Sequence, residues 1–247
     1  MYIFILKLIL AHIIGDFSLQ SNKWIAERNR NGAHSKYLYY HIGVHTLLIL
    51  LFFIGSLSEY WLGLLIILIS HFFIDLGKIY LEKKSTGYKL LLFTLDQLLH
   101  IIVIALVFYG YFGNVEMITM SLSIETIMLY AIAFLMVTSV APTLLKLFFN
   151  KWYSALKEND ESLDTDSLKD AGKYIGILER ILIVTFISIN FLEGIGYLLA
   201  AKSIFRFGDL TNSKDKKLTE YILLGTLISF SIALIVGLIL RELLNLL

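Results

Sequence analysis

Long apolar runs separated by short polar clusters dominate the chain. Eight stand out, at approximately 2–20, 38–56, 60–81, 90–112, 124–149, 174–192, 194–208 and 219–244. Crossing a bilayer as a helix takes roughly 20 mostly apolar residues. The pattern therefore predicts an all-α fold, a polytopic transmembrane bundle of about eight helices. The seventh run, EGIGYLLAAKSIFRFGD, is short and carries Lys202 and Arg206, so it fits a tilted or re-entrant segment as well as a full span. The first begins at Met1 with only Lys7 ahead of its centre and has no small-residue cleavage site. A retained helix is expected there, not a removable signal peptide.

Composition points the same way. Of 247 residues, 57% are hydrophobic and 17% charged, with a mean hydropathy of +0.76. A soluble domain is about 45–50% apolar and about 25% charged, so this chain has too little polar surface to coat a globule in water. An integral, multi-pass protein of the cell membrane is expected, with the lipid bilayer as its first partner. One proline, 16 glycines and abundant Leu and Ile exclude collagen-like, low-complexity and disordered chains. The absence of cysteine removes disulfides, thiolate metal sites, iron–sulfur clusters and cysteine nucleophiles. A net charge of +1 gives no footprint for nucleic acid.

The placement of charge adds an orientation. Eighteen of the 21 Lys and Arg residues lie in 21–37, 78–89, 146–173 and 202–217, while the connections near 57–59, 113–123 and 193 hold none. Basic residues mark the cytoplasmic side, so the alternation predicts eight crossings with both termini extracytoplasmic. Two halves follow, 1–112 and 113–247. The second includes an acidic cytoplasmic loop, 150–173, with Glu158, Asp160, Glu161, Asp164, Asp166 and Asp170. That loop reads as a solvated connection or as a regulatory surface.

Ionisable residues inside transmembrane segments are costly and mark functional sites by default. Here they are ordered. The first helix carries His12 and Asp16, the second His41 and His45, the third His71 and Asp75, and the fourth Asp96 and His100. Each pair is spaced i, i+4, so both members lie on one helix face. Five of the six histidines take part; His34 stands outside. With six His and nine Asp in the chain, a given His would meet a partner at that spacing in roughly one case in ten by chance. Under the predicted orientation all four pairs fall within about 5–15 Å of the cytoplasmic helix ends, at 1.5 Å per residue. They share one layer, as ligands do in metal-binding helix bundles.

Imidazole and carboxylate without sulfur suit a divalent metal, zinc first, with iron or manganese also compatible. Eight candidate ligands (His12, Asp16, His41, His45, His71, Asp75, Asp96 and His100) suffice for one ion with its supporting shell or for two. Gln20, Lys78 and Gln97 are placed to support them, and Asp16, Asp75 and Asp96 are the candidate catalytic carboxylates. The alternative from the same residues is a hydrogen-bonded His/Asp network or proton relay without metal.

The last helices carry a different group: Glu179, Arg180, Glu193, Lys202, Ser203 and Arg206. Lys202 and Arg206 are again four apart. They read either as partners of Glu179 in a structural ion pair or as holders of an anion such as phosphate. No Gly-rich phosphate loop, HExxH or GxSxG is present. Trp24, Tyr37, Tyr60, Trp61 and Trp152 sit at segment ends as interface anchors.

The boxes LAHxxxDFxLQ, HxxxH, HxxxDxxK and DQxxH over about residues 8–105, with LER and AAKSIxRF over about 172–208, resemble a bacterial membrane-protein family catalogued as a domain of unknown function. The resemblance implies a bacterial inner-membrane location and weight on those positions, and names no reaction. More loosely, the His/Asp-rich helices look like those of membrane-bound metal-dependent hydrolases. The expectation is a metal-dependent membrane hydrolase that acts on a lipid or other phosphate-containing substrate. A transporter, channel or proton relay is the alternative, and a signalling or defence partner a third. A homo-oligomer is compatible with the sequence; no nucleic acid is expected.

Overall fold

The computed structural model describes residues 2–84, 86–113, 124–157, 166–207 and 216–246, with side chains outside 86, 150–171 and 205–222. Glu158, Asp160, Glu161 and Asp164 lie outside the described residues, as do the side chains of Trp152, Asp166, Asp170 and Arg206. All regular structure among the described residues is helical. The helices are α1 (Tyr2–Ile13), α2 (Asn22–Asn31), α3 (Lys36–Phe52), α4 (Leu57–Lys84), α5 (Lys89–Phe112), α6 (Ile124–Leu135), α7 (Ala141–Lys157), α8 (Asp166–Ser188), α9 (Glu193–Phe207) and α10 (Lys216–Asn245). Among the described residues, four helices are long and apolar enough to cross a membrane: Leu57–Lys84, Lys89–Phe112, Ile124–Phe149 and Leu223–Asn245. A fifth is added if Tyr2–Ser18 and Asn22–His34, bent by 85° at the break between them, count as one span. Helix α9 has 15 residues and α3 has 17, short of the roughly 20 that span the hydrocarbon core.

The chain forms two compact units, residues 1–132 and 133–246. In the first, α1 packs on α3 and α5, α3 on α4, and α4 on α5, which closes a ring of four helices. Each contributes one buried stripe at i, i+4 spacing. On α3 it runs His41, His45, Ile49; on α4, His71, Asp75, Ile79; on α5, Asp96, His100, Ile104. Polar and apolar residues thus occupy successive turns of the same stripe. At one end, Phe4, Leu8, Ala11, Ile49, Phe53, Leu64, Ile104 and Val107 form an apolar core. Lipid is as apolar as these side chains, so their burial supplies packing and little hydrophobic drive. Much of the specificity of association must come from the polar turns.

The short helix α2 belongs to a segment read from sequence as a polar connection. Ser21 caps it, its Oγ accepting from the Trp24 amide at 3.3 Å. Gly32 ends it at φ +61°, a left-handed conformation that glycine takes without penalty. Helix α2 packs on α3 and α4, with Trp24 stacked on Tyr37 at 5.8 Å.

In the second unit α8 packs on α10 around Ile183, Ile187, Ile195, Phe230 and Ala233. Between α6 and α7 the helix widens into a π-turn, Met136–Val140. There the Ala141 amide donates to Met136, leaving the carbonyl of Val137 free to accept from Nε of buried Arg180 at 2.7 Å.

Candidate metal centre

The four pairs meet inside the four-helix ring. One member of each, His12, His45, His71 and His100, forms a layer of imidazoles. Their ring centroids are 4.2 Å apart for His71–His100, 4.0 Å for His45–His71, 4.9 Å for His12–His100 and 6.1 Å for His12–His45. The other members, Asp16, His41, Asp75 and Asp96, lie one helical turn away along each helix, about 6 Å at 1.5 Å per residue. The result is four imidazoles stacked over three carboxylates and a fifth imidazole. His34 is exposed and apart.

Asp16 is the hub. It sits in a second π-turn, Ile14–Ser18, where Leu19 N donates to Ile14 O at 2.9 Å; such turns recur at functional sites. Its Oδ1 accepts from His45 Nε2 at 3.0 Å and lies 3.4 Å from His41 Nε2 and 3.6 Å from His71 Nε2. The adjoining Gly15 is buried under His45, whose ring occupies the place a β-carbon would need. A bulkier residue would push the imidazole away from the carboxylate.

Around this hub, several of the candidate ligands are held by a neighbour. Gln97 donates from its amide to Asp16 Oδ2 and to Asp96 Oδ2, both at 3.1 Å, and its amide oxygen accepts from His12 Nε2 at 3.1 Å. Lys78 Nζ donates to Asp96 Oδ2 at 2.8 Å. The Gln20 side-chain amide lies 3.1 Å from His41 Nδ1; turned to present its oxygen, it accepts the Nδ1 proton and leaves Nε2 free to ligate. Arg28, counted from sequence only among the basic residues of the 21–37 connection, is buried and donates from Nη1 to Asp75 Oδ2 at 2.8 Å. Its signal in the sequence was the capped helix around it: Ser21 before and Gly32 after place Arg28 on a helix that must lie on something.

The donor atoms fit a divalent cation. His41 Nε2, His71 Nε2 and Asp16 Oδ1 form a triangle with edges of 3.2, 3.4 and 3.6 Å. A tetrahedron of ligands at about 2.0–2.1 Å from zinc has edges of about 3.3–3.4 Å. His12, Asp16, His45 and His71 each offer one ligand atom within 4.8 Å of the others; so do His41, His71 and Asp75, and Asp16, Asp96 and His100. Two buried acceptors, Asp96 Oδ1 and His100 Nε2, have no hydrogen-bond partner. A cavity of about 20 Å³ adjoins the imidazole layer, lined by His12, His45, His71 and His100 and by apolar residues including Leu8 and Ile49. That is room for about one water molecule.

In the second unit, partly buried Lys202 donates from Nζ to Oε2 of buried Glu179 and lies 5.6 Å from the ring centroid of Phe230. Arg180 donates from Nη1 to Ser229 Oγ at 2.8 Å as well as to the Val137 carbonyl. Lys202 and Arg180 are therefore engaged by groups of their own unit.

The model of a family described as "Protein of unknown function (DUF3307)" matches residues 3–145. No curated protein and no solved structure matches the chain.

Proposed function

Since the chain belongs to the DUF3307 family and the matched region takes in all four His/Asp pairs, we propose that the protein is a membrane metalloenzyme, a metal-dependent hydrolase of a membrane-associated or phosphate-containing substrate. The observation that carries this is the triangle of His41, His71 and Asp16 donor atoms, spaced as ligands of one small cation are spaced. Nitrogen and oxygen donors favour zinc, with iron or manganese next. When bound, such an ion supplies Lewis acidity, drawing a proton from water near neutral pH and polarising a phosphoryl oxygen. The chain does the rest. Gln97, Gln20, Lys78 and Arg28 hold the ligands in place, Asp16, Asp75 and Asp96 are the carboxylates available to take a proton, and the small cavity limits water at the imidazoles. The proposal includes eight crossings with both termini extracytoplasmic, from the alternation of basic connections.

Metal analysis of the purified protein tests it. Intact protein is expected to retain at least one equivalent of zinc, iron or manganese, and His45→Ala and Asp75→Ala to lose it; intact protein without metal would overturn the enzyme. A carrier or proton relay built on the same residues is favoured by one observation, the chain of hydrogen bonds from Gln20 through His41 to His71. Ion flux in proteoliposomes that vanishes with a ligand substitution would select it over the hydrolase.

A further inference from the structure

We propose that the centre holds two cations, with Asp16, Asp96 and His100 forming a second position and the Asp16 carboxylate shared between both. This rests on the metal centre proposed above and adds a second ion with its own ligands.

The starting point is a pair of buried acceptors that cannot satisfy one another. Nδ1 of His100 donates to the backbone carbonyl of Asp96 at 2.8 Å. A carbonyl only accepts, so Nδ1 carries the proton and Nε2 presents its lone pair. That lone pair is buried, has no partner, and belongs to a ring packed beside those of His71 and His12. Asp96 repeats the situation: Oδ2 accepts from Lys78 and Gln97, while Oδ1 is buried and unpartnered. Both residues are at least 95% buried, with exposures of 3% for Asp96 and 4% for His100. Leaving a buried acceptor unmade is costly, and a hydrogen-bonded second nitrogen is the usual support of a metal-ligating histidine. A cation satisfies both acceptors at once.

Asp16 links this position to the first. Its Oδ1 faces His41, His45 and His71, while its Oδ2 accepts from Gln97, which also holds Asp96. One oxygen thus serves each side, the arrangement of a carboxylate bridging two ions about 3.5–4 Å apart. Among the described residues, Asp75 and Asp96 each have a basic partner, Arg28 and Lys78, whereas the ion-pair partners of Asp16 are all histidines. Its charge is the one left for cations to neutralise.

The test is the metal itself. The full chain, purified in detergent and stripped with chelator, is reloaded with Mn²⁺ and its bound metal counted. Two equivalents are expected, with an exchange-coupled electron paramagnetic resonance spectrum. His100→Ala and Asp96→Asn should each retain one equivalent with the spectrum of an isolated ion. One equivalent in the intact protein would overturn the second position, a water then satisfying both acceptors, and leave the first standing. None would overturn both. Two equivalents persisting in both variants would overturn the assignment to Asp96 and His100. Because the coupled spectrum is read on the intact protein, the outcome does not depend on how well the variants fold.

Discussion

A β-carbon on Gly15 would collide with Nε2 and Cε1 of His45, the edge of the ring that meets Asp16. Alanine is the better helix former, so Gly15→Ala should keep the Ile14–Ser18 turn helical and displace the imidazole. Metal affinity is expected to fall at least as far as when an orienting partner is lost, roughly 10–100-fold. Competition against a chromophoric chelator measures it; unchanged affinity would remove His45 from the ligand set.

Arg28 and Asp75 are both buried, with exposures of 4% and 2%. Removing one charge strands the other, and breaking a buried pair costs about 3–5 kcal/mol. Arg28→Ala should therefore be strongly destabilising in metal-free, detergent-solubilised protein. The double substitution Arg28→Met with Asp75→Asn should recover most of the loss. Denaturant unfolding compares the two, and equal destabilisation would argue against the pair as the cause.

Gln97 bonds to His12, Asp16 and Asp96 without being a metal ligand itself. Gln97→Leu should preserve the helix and weaken metal binding by roughly 10–100-fold, as loss of an orienting partner does. Isothermal titration of chelated protein provides the value.

Lys202 is engaged by Glu179. Lys202→Met should leave metal content unchanged and lower stability by about 1–3 kcal/mol, the cost of an acceptor left without its donor. Loss of bound metal, or of an added phosphate compound, in that variant would instead assign Lys202 to a ligand.

The chain contains no cysteine, so introduced thiols report sidedness without background. Ser58→Cys should react with a membrane-impermeant maleimide applied from outside the cell, and Gly87→Cys only after permeabilisation. The reverse pattern would invert the orientation.

The His/Asp pairs were legible in the sequence because an i, i+4 repeat survives whatever the helix packs against. The turns of Asp96 and His100 toward Asp16 depend only on each helix facing the bundle axis. The π-turn carrying Asp16 was not legible, since IGDFS holds no residue that forces a wider turn. Arg28 entered the sequence reading only as one basic residue of the 21–37 connection, although the capping residues Ser21 and Gly32 already outlined the helix that buries it. The first run, 2–20, ends where the chain bends by 85°, and the seventh, already short in the sequence, is a described helix of 15 residues.

The partners of Asp16 come from residues 41, 45, 71 and 97, spread over three further helices. During synthesis, the first helix emerges with an aspartate in its apolar stretch and only His12 nearby, a state that costs several kcal/mol in lipid. The centre cannot close until α5 has been made and Gln97 has arrived. Early helices would then gain little by partitioning singly into the bilayer and much by entering as a group. A truncation before residue 97 should leave a chain retained at the insertion machinery, cleared by proteolysis, and unable to capture metal at any concentration in the cell.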